Sequence, residues 1–165
     1  MTDDLDRIMS VMEVAFDAQW REAWTRRQVA DSLAFPHTHY RLSDESGAIE
    51  GATGSAAAGF TLVRSAPGED ELLLIAVRPE LRGRGIGNAL LADALAQARL
   101  RGAASMFLEM RENNPARALY HRHGFEPIGR RKNYYRCADG TRIDAITFAH
   151  TIDPAADCKR SGSAE

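Results

Sequence analysis

The spacing of apolar residues near the N-terminus predicts two helices. The first begins after an N-cap at Thr2 or Asp3 and carries its apolar side chains on one face, at Leu5, Ile8, Met12 and Phe16. The second begins at Thr25, because Thr25 and Gln28 have the spacing of a capping box. Pro36 then ends this helix, since the residue before a proline disfavours the helical conformation.

Three segments in the next part of the chain have the character of strands. Tyr40 and Leu42 alternate with polar residues, and a connection rich in glycine and serine follows from Ser43 to Ala57. A second strand is predicted from Ala58 to Arg64. The run from Leu72 to Val77 is short and continuously apolar, which is typical of a central strand that is buried on both faces.

A long apolar stripe predicts the main helix of the chain. Ile86 opens the stripe, Ala98 closes it, and Gly102 is a suitable C-terminal stop. The mixture of helices and strands without strict alternation indicates an α/β fold, with one mixed sheet and helices on both of its faces. Four shorter elements complete the predicted chain, namely a strand from Met106 to Met110, a helix from Pro115 to His121, and strands from Phe125 to Tyr135 and from Ile143 to His150.

Length and composition limit the class of protein. With 165 residues we expect one domain over residues 1–150 and a disordered tail over 151–165. The formal net charge of −2 and the pI near 6.2 argue against a general nucleic-acid binder. The sequence has no apolar run of the roughly 20 residues that span a bilayer, and its acidic start is unlike a signal peptide. Cys137 and Cys158 form no Cys-x-x-Cys pattern, so we expect a protein of the reducing cytoplasm.

The segment between the apolar strand and the main helix is the most informative one for chemistry. It reads Arg82-Gly83-Arg84-Gly85-Ile86-Gly87. Glycines there let the backbone approach a ligand and turn into a helix whose first N–H groups bind an anion such as a pyrophosphate, with further contacts from Arg82 and Arg84. It matches neither a dinucleotide-binding motif, because Asn88 replaces the third glycine, nor a phosphate loop, which needs a lysine. From the loop alone, an arginine- and glycine-rich surface loop without a ligand is the alternative.

The chain resembles a known family at this loop and at several places downstream. The pattern Arg82-x-x-Gly85-x-Gly87, between a strand and an amphipathic helix, is similar to the acetyl-CoA pyrophosphate motif of the Gcn5-related N-acetyltransferases. Within this family, the likeness is closest to the RimI group of ribosomal-protein-alanine N-acetyltransferases and spans Leu5 to His150. The downstream segments that carry it are Leu108-Glu109-Met110-Arg111, Asn113-x-x-Ala116-x-x-Leu119-Tyr120, Gly124-Phe125, Arg130-Arg131-Lys132-Asn133-Tyr134-Tyr135, Asp139-Gly140 and Asp144-Ala145.

The resemblance implies a fold and a co-substrate. The expected fold is a mostly antiparallel central sheet whose middle strands splay apart at the acetyl-CoA site, with the first strand of the family short or absent. The backbone of Ile75, Ala76 and Val77 is expected to bind the acetyl and pantetheine part of acetyl-CoA. The residues expected to hold its pyrophosphate are Arg82, Gly83, Arg84, Gly85, Ile86 and Gly87.

The resemblance also implies two catalytic residues. Glu109 occupies the position of the general base, in a strand whose neighbouring side chains Leu108 and Met110 face the opposite side. Tyr120 occupies the position of the general acid that protonates the departing thiolate. Without the resemblance, Glu109 is interpreted as a surface carboxylate paired with Arg111, and Tyr120 as a packing aromatic.

An asparagine before the short helix is expected to contact the pantetheine arm. Glu109 and Tyr120 lie one residue closer together than in the RimI group. If the sequences are aligned at Tyr120, the asparagine position of the family falls on Asn113, and if they are aligned at Glu109, it falls on Asn114. We select Asn113, because spacing within a helix is harder to alter than the loop before it. We also expect Asn113 to cap that helix.

The implied function is transfer of an acetyl group from acetyl-CoA to the α-amino group of an N-terminal alanine of a small-subunit ribosomal protein. A small-molecule amine or a lysine side chain is the alternative acceptor, and a non-catalytic acyl-CoA-binding module is the alternative outside enzymes. We expect no nucleic-acid or membrane partner and a monomer or weak dimer. We expect no metal either, since His121 and His123 point to different sides of a helix. No role is assigned to Cys137 or to the basic cluster from Arg130 to Arg136.

Overall fold

The computed structural model describes residues 3–49 and 56–152. Its helices are α1 (Asp4–Ala15), α2 (Arg26–Leu33), α3 (Ile86–Leu100) and α4 (Arg117–Arg122). Its strands are β1 (Thr38–Ser43), β2 (Gly59–Ala66), β3 (Glu69–Val77), β4 (Ser105–Arg111), β5 (Glu126–Arg136) and β6 (Arg142–Thr151). Short 3₁₀ helices lie at Ala18–Trp20 and Pro79–Leu81. The order and type of these elements confirm the prediction, although α4 begins two residues later than expected.

The six strands form one sheet in the order β1-β2-β3-β4-β6-β5. Neighbouring strands are antiparallel except for β3 and β4, which run parallel. The pairing between β3 and β4 covers only Glu69–Glu71 against Ser105–Phe107. The C-terminal parts of these two central strands therefore separate, which confirms the mostly antiparallel sheet with splayed middle strands.

Helices cover both faces of the sheet, as predicted. On one face, α3 and α4 pack on the sheet in a buried cluster that includes Leu91, Ala98, Leu108, Tyr120 and Phe148. On the other face, α1 and α2 form a second cluster that includes Ile8, Met12, Val29, Phe60 and Leu62. Both clusters exist because alternate residues of a strand point to opposite faces of the sheet. Packing of α3 against β2 and β3 also fixes the loop that precedes α3 beside the end of β3.

The apolar run from Leu72 to Val77 is not buried on both faces, so that prediction is wrong. Buried and half-buried residues alternate along it. A register shift between Leu62 and Val63 of β2 leaves Leu73 as an extra residue in β3. The physical reason for the partial exposure is the separation of β3 from β4, which opens one edge of β3 to a cleft.

Local sequence signals set the helix starts. The Thr25 N–H donates to Gln28 Oε1 at 2.8 Å, and the Gln28 N–H donates to Thr25 Oγ1 at 3.2 Å, which confirms the capping box of α2. Asp3 is the N-cap of α1 without a side-chain hydrogen bond, and the other candidate, Thr2, lies outside the described residues. None of the described helices is long and apolar enough to cross a bilayer.

Two predicted segments lie partly outside the described residues. The connection predicted from Ser43 to Ala57 is described except for residues 50–55. The tail predicted over residues 151–165 is described only for Thr151, which ends β6, and Ile152, which is buried.

Candidate active site

A cleft of about 820 Å³ opens where β3 and β4 separate. Its walls come from the end of β3, the loop before α3 and the segment between β4 and α4. Since β4 does not pair with β3 beyond Glu71, the edge of β3 is free of β4 where Ile75, Ala76 and Val77 line this cleft. The predicted cofactor residues that line the cleft are Ile75, Ala76, Val77, Arg82, Gly83, Gly85, Ile86, Gly87 and Asn113.

The loop before α3 borders the cleft with backbone N–H groups. Gly83 and Gly85 have φ values of 78° and 84°, a left-handed conformation that glycine adopts without strain. Gly85 is the N-cap of α3, and it supplies no capping side chain. The first N–H groups of a helix have no acceptor within the helix and lie at the positive end of its dipole. The loop is therefore suited to bind a phosphate or pyrophosphate.

The two arginines of this loop have different positions. The Arg82 guanidinium donates to the main-chain carbonyl oxygen of Ala15, at 2.7 Å, and to that of Val77, at 3.3 Å. Arg82 therefore connects the loop and the end of β3 to the end of α1. In the part of the chain that the structure describes, the cleft lining includes Arg82 but not Arg84. The groups of this loop that are suited to an anion are thus mainly backbone groups.

A second pocket, of about 300 Å³, adjoins the cleft, and we call it the acceptor pocket. It is lined by the middle of β3, by β4 and by the segment between α1 and α2. The residues that line both the cleft and the acceptor pocket are Phe16, Glu22, Ile75, Asn114 and Tyr120. Two molecules bound in these spaces would therefore meet beside Tyr120.

Glu109 lines the acceptor pocket. The residues on either side of it in β4 point into the core, as the predicted alternation requires. Its side chain is 22% exposed, and Oε2 lies 3.4 Å from Nε of Arg131 on β5. The alternative pairing of Glu109 with Arg111 is not found, because Arg111 pairs with Glu22. The Arg111 side chain extends toward the segment between α1 and α2, where Glu22 lies.

Tyr120 stands on α4 at the junction of the cleft and the acceptor pocket. The residue is 6% exposed, and its ring packs edge-on against Phe125 with the ring centroids 5.9 Å apart. Burial above all, and then the negative charge of Glu22, raises the pKa of the Tyr120 hydroxyl. The hydroxyl therefore keeps its proton at neutral pH, and Tyr120 combines a packing role with the ability to donate a proton.

The two asparagines before α4 have distinct roles. Asn113 Oδ1 accepts a hydrogen bond from Arg111 Nη1 at 2.8 Å. Asn114 Oδ1 accepts one from the backbone N–H of Ala116 at 2.9 Å. The prediction that Asn113 caps the helix is therefore wrong, because Asn114 makes the side-chain contact at the helix start. Both asparagines line the cleft, and Asn114 also lines the acceptor pocket.

Two titratable residues of the acceptor pocket were not singled out from the sequence. Burial raises the pKa of the Glu22 carboxyl, and the nearby charge of Arg111 opposes the shift. Burial, followed by the charges of Glu109 and Glu22, raises the pKa of Tyr135 to about 12. Tyr135 lies in a segment that carried the family resemblance. Glu22 lies between α1 and α2, where neither periodicity nor a motif marks it.

The histidines show no metal-binding arrangement. His123 Nε2 lies 3.1 Å from Asn88 Oδ1, and the His121 ring packs edge-on against Phe148 with the centroids 5.7 Å apart. Within residues 3–49 and 56–152, no group of three or more His, Cys, Asp or Glu side chains is placed to hold a metal ion.

Cys137 and the basic cluster belong to the β5–β6 hairpin. Cys137 is buried, and its N–H donates to the Thr141 carbonyl oxygen at 2.8 Å. Arg130 forms ion pairs with Glu112, at 2.9 Å, and Asp144, at 2.7 Å. The contacts of Cys137 and Asp144 lie within the hairpin, and the Glu112 contact joins it to the segment after β4. Neither Cys137 nor Arg130 lines the cleft or the acceptor pocket in the described part of the chain.

Comparisons with known proteins agree with this geometry. The model of the Acetyltransferase (GNAT) family matches residues 6–125. N-alpha-acetyltransferase RimI from Mycobacterium tuberculosis is 38% identical over 133 residues, which are 80% of this chain and 75% of that protein. The [ribosomal protein bS18]-alanine N-acetyltransferase of Haemophilus influenzae is 37% identical over 91 residues, which are 55% of this chain and only 62% of that relative. The crystal structure of the ribosomal-protein-S18-alanine N-acetyltransferase from Escherichia coli has a TM-score of 0.77 and 28% identity, covering 93% of this chain and 90% of that one. The chain belongs to the Acetyltransferase (GNAT) family.

Proposed function

We propose that this protein transfers the acetyl group of acetyl-CoA to the α-amino group of a protein N-terminus, by direct attack of the amine. The observation that carries this proposal is the meeting of the cleft and the acceptor pocket at Tyr120, with Glu109 in the pocket. A thioester in the cleft and an amine in the pocket would be neighbours at Tyr120, so the amine can attack the thioester directly, and holding the two in place is a large part of catalysis.

The residues of the cleft fit acetyl-CoA. The uncapped start of α3 and the two left-handed glycines offer N–H groups to the pyrophosphate. The open edge of β3 at Ile75, Ala76 and Val77 offers backbone groups to the amides of the pantetheine arm. Asn113 accepts from Arg111 through its side-chain oxygen, so its side-chain N–H groups remain to donate to a pantetheine carbonyl.

Glu109 and Tyr120 handle the protons of the reaction. Acetyl-CoA supplies the acetyl group as an activated thioester. The Glu109 carboxylate accepts one proton from the acceptor ammonium and passes it to water, which frees the nitrogen lone pair to attack. As the C–N bond forms and the C–S bond breaks, Tyr120 donates its proton to the sulfur. The second proton that the nitrogen loses restores the Tyr120 hydroxyl, so the protons balance.

For the acceptor, we propose the N-terminal alanine of a small-subunit ribosomal protein. The names of relatives from Haemophilus influenzae and Escherichia coli support this choice, since both specify alanine of ribosomal protein bS18. The acceptor pocket, at about 300 Å³, suits a chain end with a small first side chain. The cytoplasmic location predicted from the cysteine pattern belongs to the same proposal.

Mass spectrometry of three acceptors tests the proposal. The protein and acetyl-CoA are incubated with an alanine-terminated peptide, with the same peptide blocked at its N-terminus but carrying a lysine, and with a small diamine. We expect a mass gain of one acetyl group for the free peptide alone. Acetylation of the blocked peptide would show that the acceptor is a lysine side chain, and acetylation of the diamine would show that it is a small amine. Binding of acetyl-CoA without acetylation of any acceptor would indicate a non-catalytic acyl-CoA-binding module.

A further inference from the structure

A buried arginine connects the cleft to the acceptor pocket. Arg111, at the end of β4, is 7% exposed. Its Nε lies 2.9 Å from Oε1 of Glu22, and its Nη1 donates to Asn113 Oδ1 at 2.8 Å. Its guanidinium lies over the Trp20 ring, 4.2 Å from the centroid. These contacts from three directions hold the planar guanidinium in one orientation, and Glu22 is held with it.

Glu22 lies where the two substrates would meet. It is one of the residues that line both the cleft and the acceptor pocket, and its side chain is 17% exposed. Its contact with Arg111 uses Oε1. Within residues 3–49 and 56–152, Oε2 accepts no hydrogen bond, although a carboxylate oxygen accepts up to two.

The acceptor amine has an N–H group from which Glu22 Oε2 can accept a hydrogen bond. An α-ammonium has three N–H donors, and after Glu109 accepts one proton the nitrogen keeps two N–H groups and a lone pair. A second acceptor that holds one of these N–H groups fixes the direction of the lone pair. Glu109 alone leaves the amine free to rotate about a single hydrogen bond.

We propose that Glu22 is a second carboxylate that binds the acceptor amine, and that Arg111 is the residue that positions it. This inference rests on the proposed function and adds a substrate-binding residue to it. Glu109 accepts the proton, and Glu22 holds the nitrogen toward the thioester. Because Arg111 also contacts Asn113, the same guanidinium links the residue expected to contact pantetheine to the residue that holds the amine.

The test separates binding of the charged amine from the folding role of the ion pair. Two peptides are compared on protein saturated with CoA, one that begins with alanine and one that begins with lactate, which replaces the amine by a hydroxyl. We expect wild-type protein to bind the alanine peptide more tightly. Glu22→Gln should reduce this preference at least about tenfold, because it removes a charge-assisted hydrogen bond, and it should leave the lactate peptide and CoA affinities within twofold.

Further variants keep the test decisive if Glu22→Gln folds poorly around an unpaired Arg111. The double variant Glu22→Gln with Arg111→Gln removes both charges of the pair, and we expect it to lose the same preference. Glu13→Gln, an exposed position on α1, is the matched control. If the Glu22 variants weaken the binding of both peptides equally, Glu22 acts in folding alone and the inference is overturned.

The acetylation assay distinguishes the two ways in which this inference fails. If wild-type protein acetylates the alanine peptide but the double variant keeps the full preference for the amine, only the role of Glu22 is overturned. If wild-type protein acetylates no α-amine, the proposed function is overturned and the role of Glu22 with it.

Discussion

Arg131 Nε lies 3.4 Å from Glu109 Oε2, so the carboxylate assigned as the base already has a cationic neighbour on β5. The arginine side chain is 62% exposed, and solvent-exposed ion pairs contribute at most about 1 kcal/mol. An incoming ammonium can therefore replace Arg131 at Glu109 at little cost.

Removing this competing charge should have a small effect. We expect Arg131→Gln to lower the KM for the peptide by no more than about fivefold, the factor that corresponds to 1 kcal/mol, with kcat unchanged. Steady-state kinetics with the alanine peptide measure both constants. A rise in KM of tenfold or more would mean that Arg131 contacts the acceptor instead of competing with it.

Replacing Tyr120 should reduce turnover more than stability. Because burial raises the pKa of the Tyr120 hydroxyl, the group stays protonated as a donor across the range from pH 6 to 9. Tyr120→Phe keeps the packing on Phe125 and removes the donor, so we expect kcat to fall by about 10²-fold with a similar melting temperature. The matched control is Tyr40→Phe, since the Tyr40 hydroxyl donates a hydrogen bond to Asp4 Oδ2 and does not line the cleft. Equal rates for Tyr120→Phe and wild type would remove the hydroxyl from catalysis.

Substitution of Gly85 should weaken cofactor binding through the backbone. Its φ of 84° costs an L-residue about 1–2 kcal/mol, although a Cβ there would have no atom within 4 Å. A loop that relaxes this strain misaligns the N–H groups at the start of α3. We therefore expect Gly85→Ala to raise the acetyl-CoA Kd at least about fivefold by calorimetry.

Gly68 provides a control with the same strain. Its φ is 78°, and a Cβ there is also unobstructed, but it lies in the β2–β3 turn away from the cleft. Gly68→Ala should lose comparable stability and bind acetyl-CoA as wild type does. If both variants bind acetyl-CoA normally, the loop is not the pyrophosphate site.

The order of elements could be predicted from the sequence because it depends on local signals. Thr25 and Gln28 form the predicted capping box, and the apolar stripe from Ile86 to Ala98 forms the predicted face of α3. The prediction that Leu72 to Val77 are buried on both faces was wrong, because their burial depends on where β3 and β4 separate. No local pattern in either strand indicates that point.

The candidate site was predictable only in part. The resemblance supplied Glu109 and Tyr120, and the structure places both on the acceptor pocket. The Glu22–Arg111 ion pair joins residues 89 positions apart, across a segment without regular periodicity. Such a contact depends on the tertiary arrangement of the α1–α2 segment over β4, so spacing along the chain gives no sign of it.

The stability of the β5–β6 hairpin should depend on acid pH through Asp144. The Asn133 N–H above all, and then the Arg130 guanidinium, lowers the pKa of the Asp144 carboxyl. A carboxyl whose pKa is lowered on folding contributes stability above its unfolded pKa, and loses it as the pH falls through the folded pKa. We expect Asp144→Asn to lower the melting temperature at pH 7, and the difference from wild type to shrink below about pH 4.

Thermal unfolding from pH 3 to 7 measures this dependence. Asp31→Asn is the control, because Asp31 is 70% exposed and its nearest guanidinium nitrogen, on Arg27, is 3.7 Å away. We expect that variant to follow the wild-type curve. A difference between Asp144→Asn and wild type that stays constant down to pH 3 would contradict the role of the charged carboxylate.

The most direct test of the central claim is the single-turnover rate of Glu109→Gln on the alanine peptide. With acetyl-CoA bound to saturation, we expect a rate at least about 10²-fold below wild type, since the amine keeps its proton without a base, and an unchanged acetyl-CoA Kd. Glu112→Gln, whose carboxylate pairs with Arg130, should react at the wild-type rate. A wild-type rate for Glu109→Gln would contradict the proposed mechanism, because Glu109 would then not be the general base of the reaction.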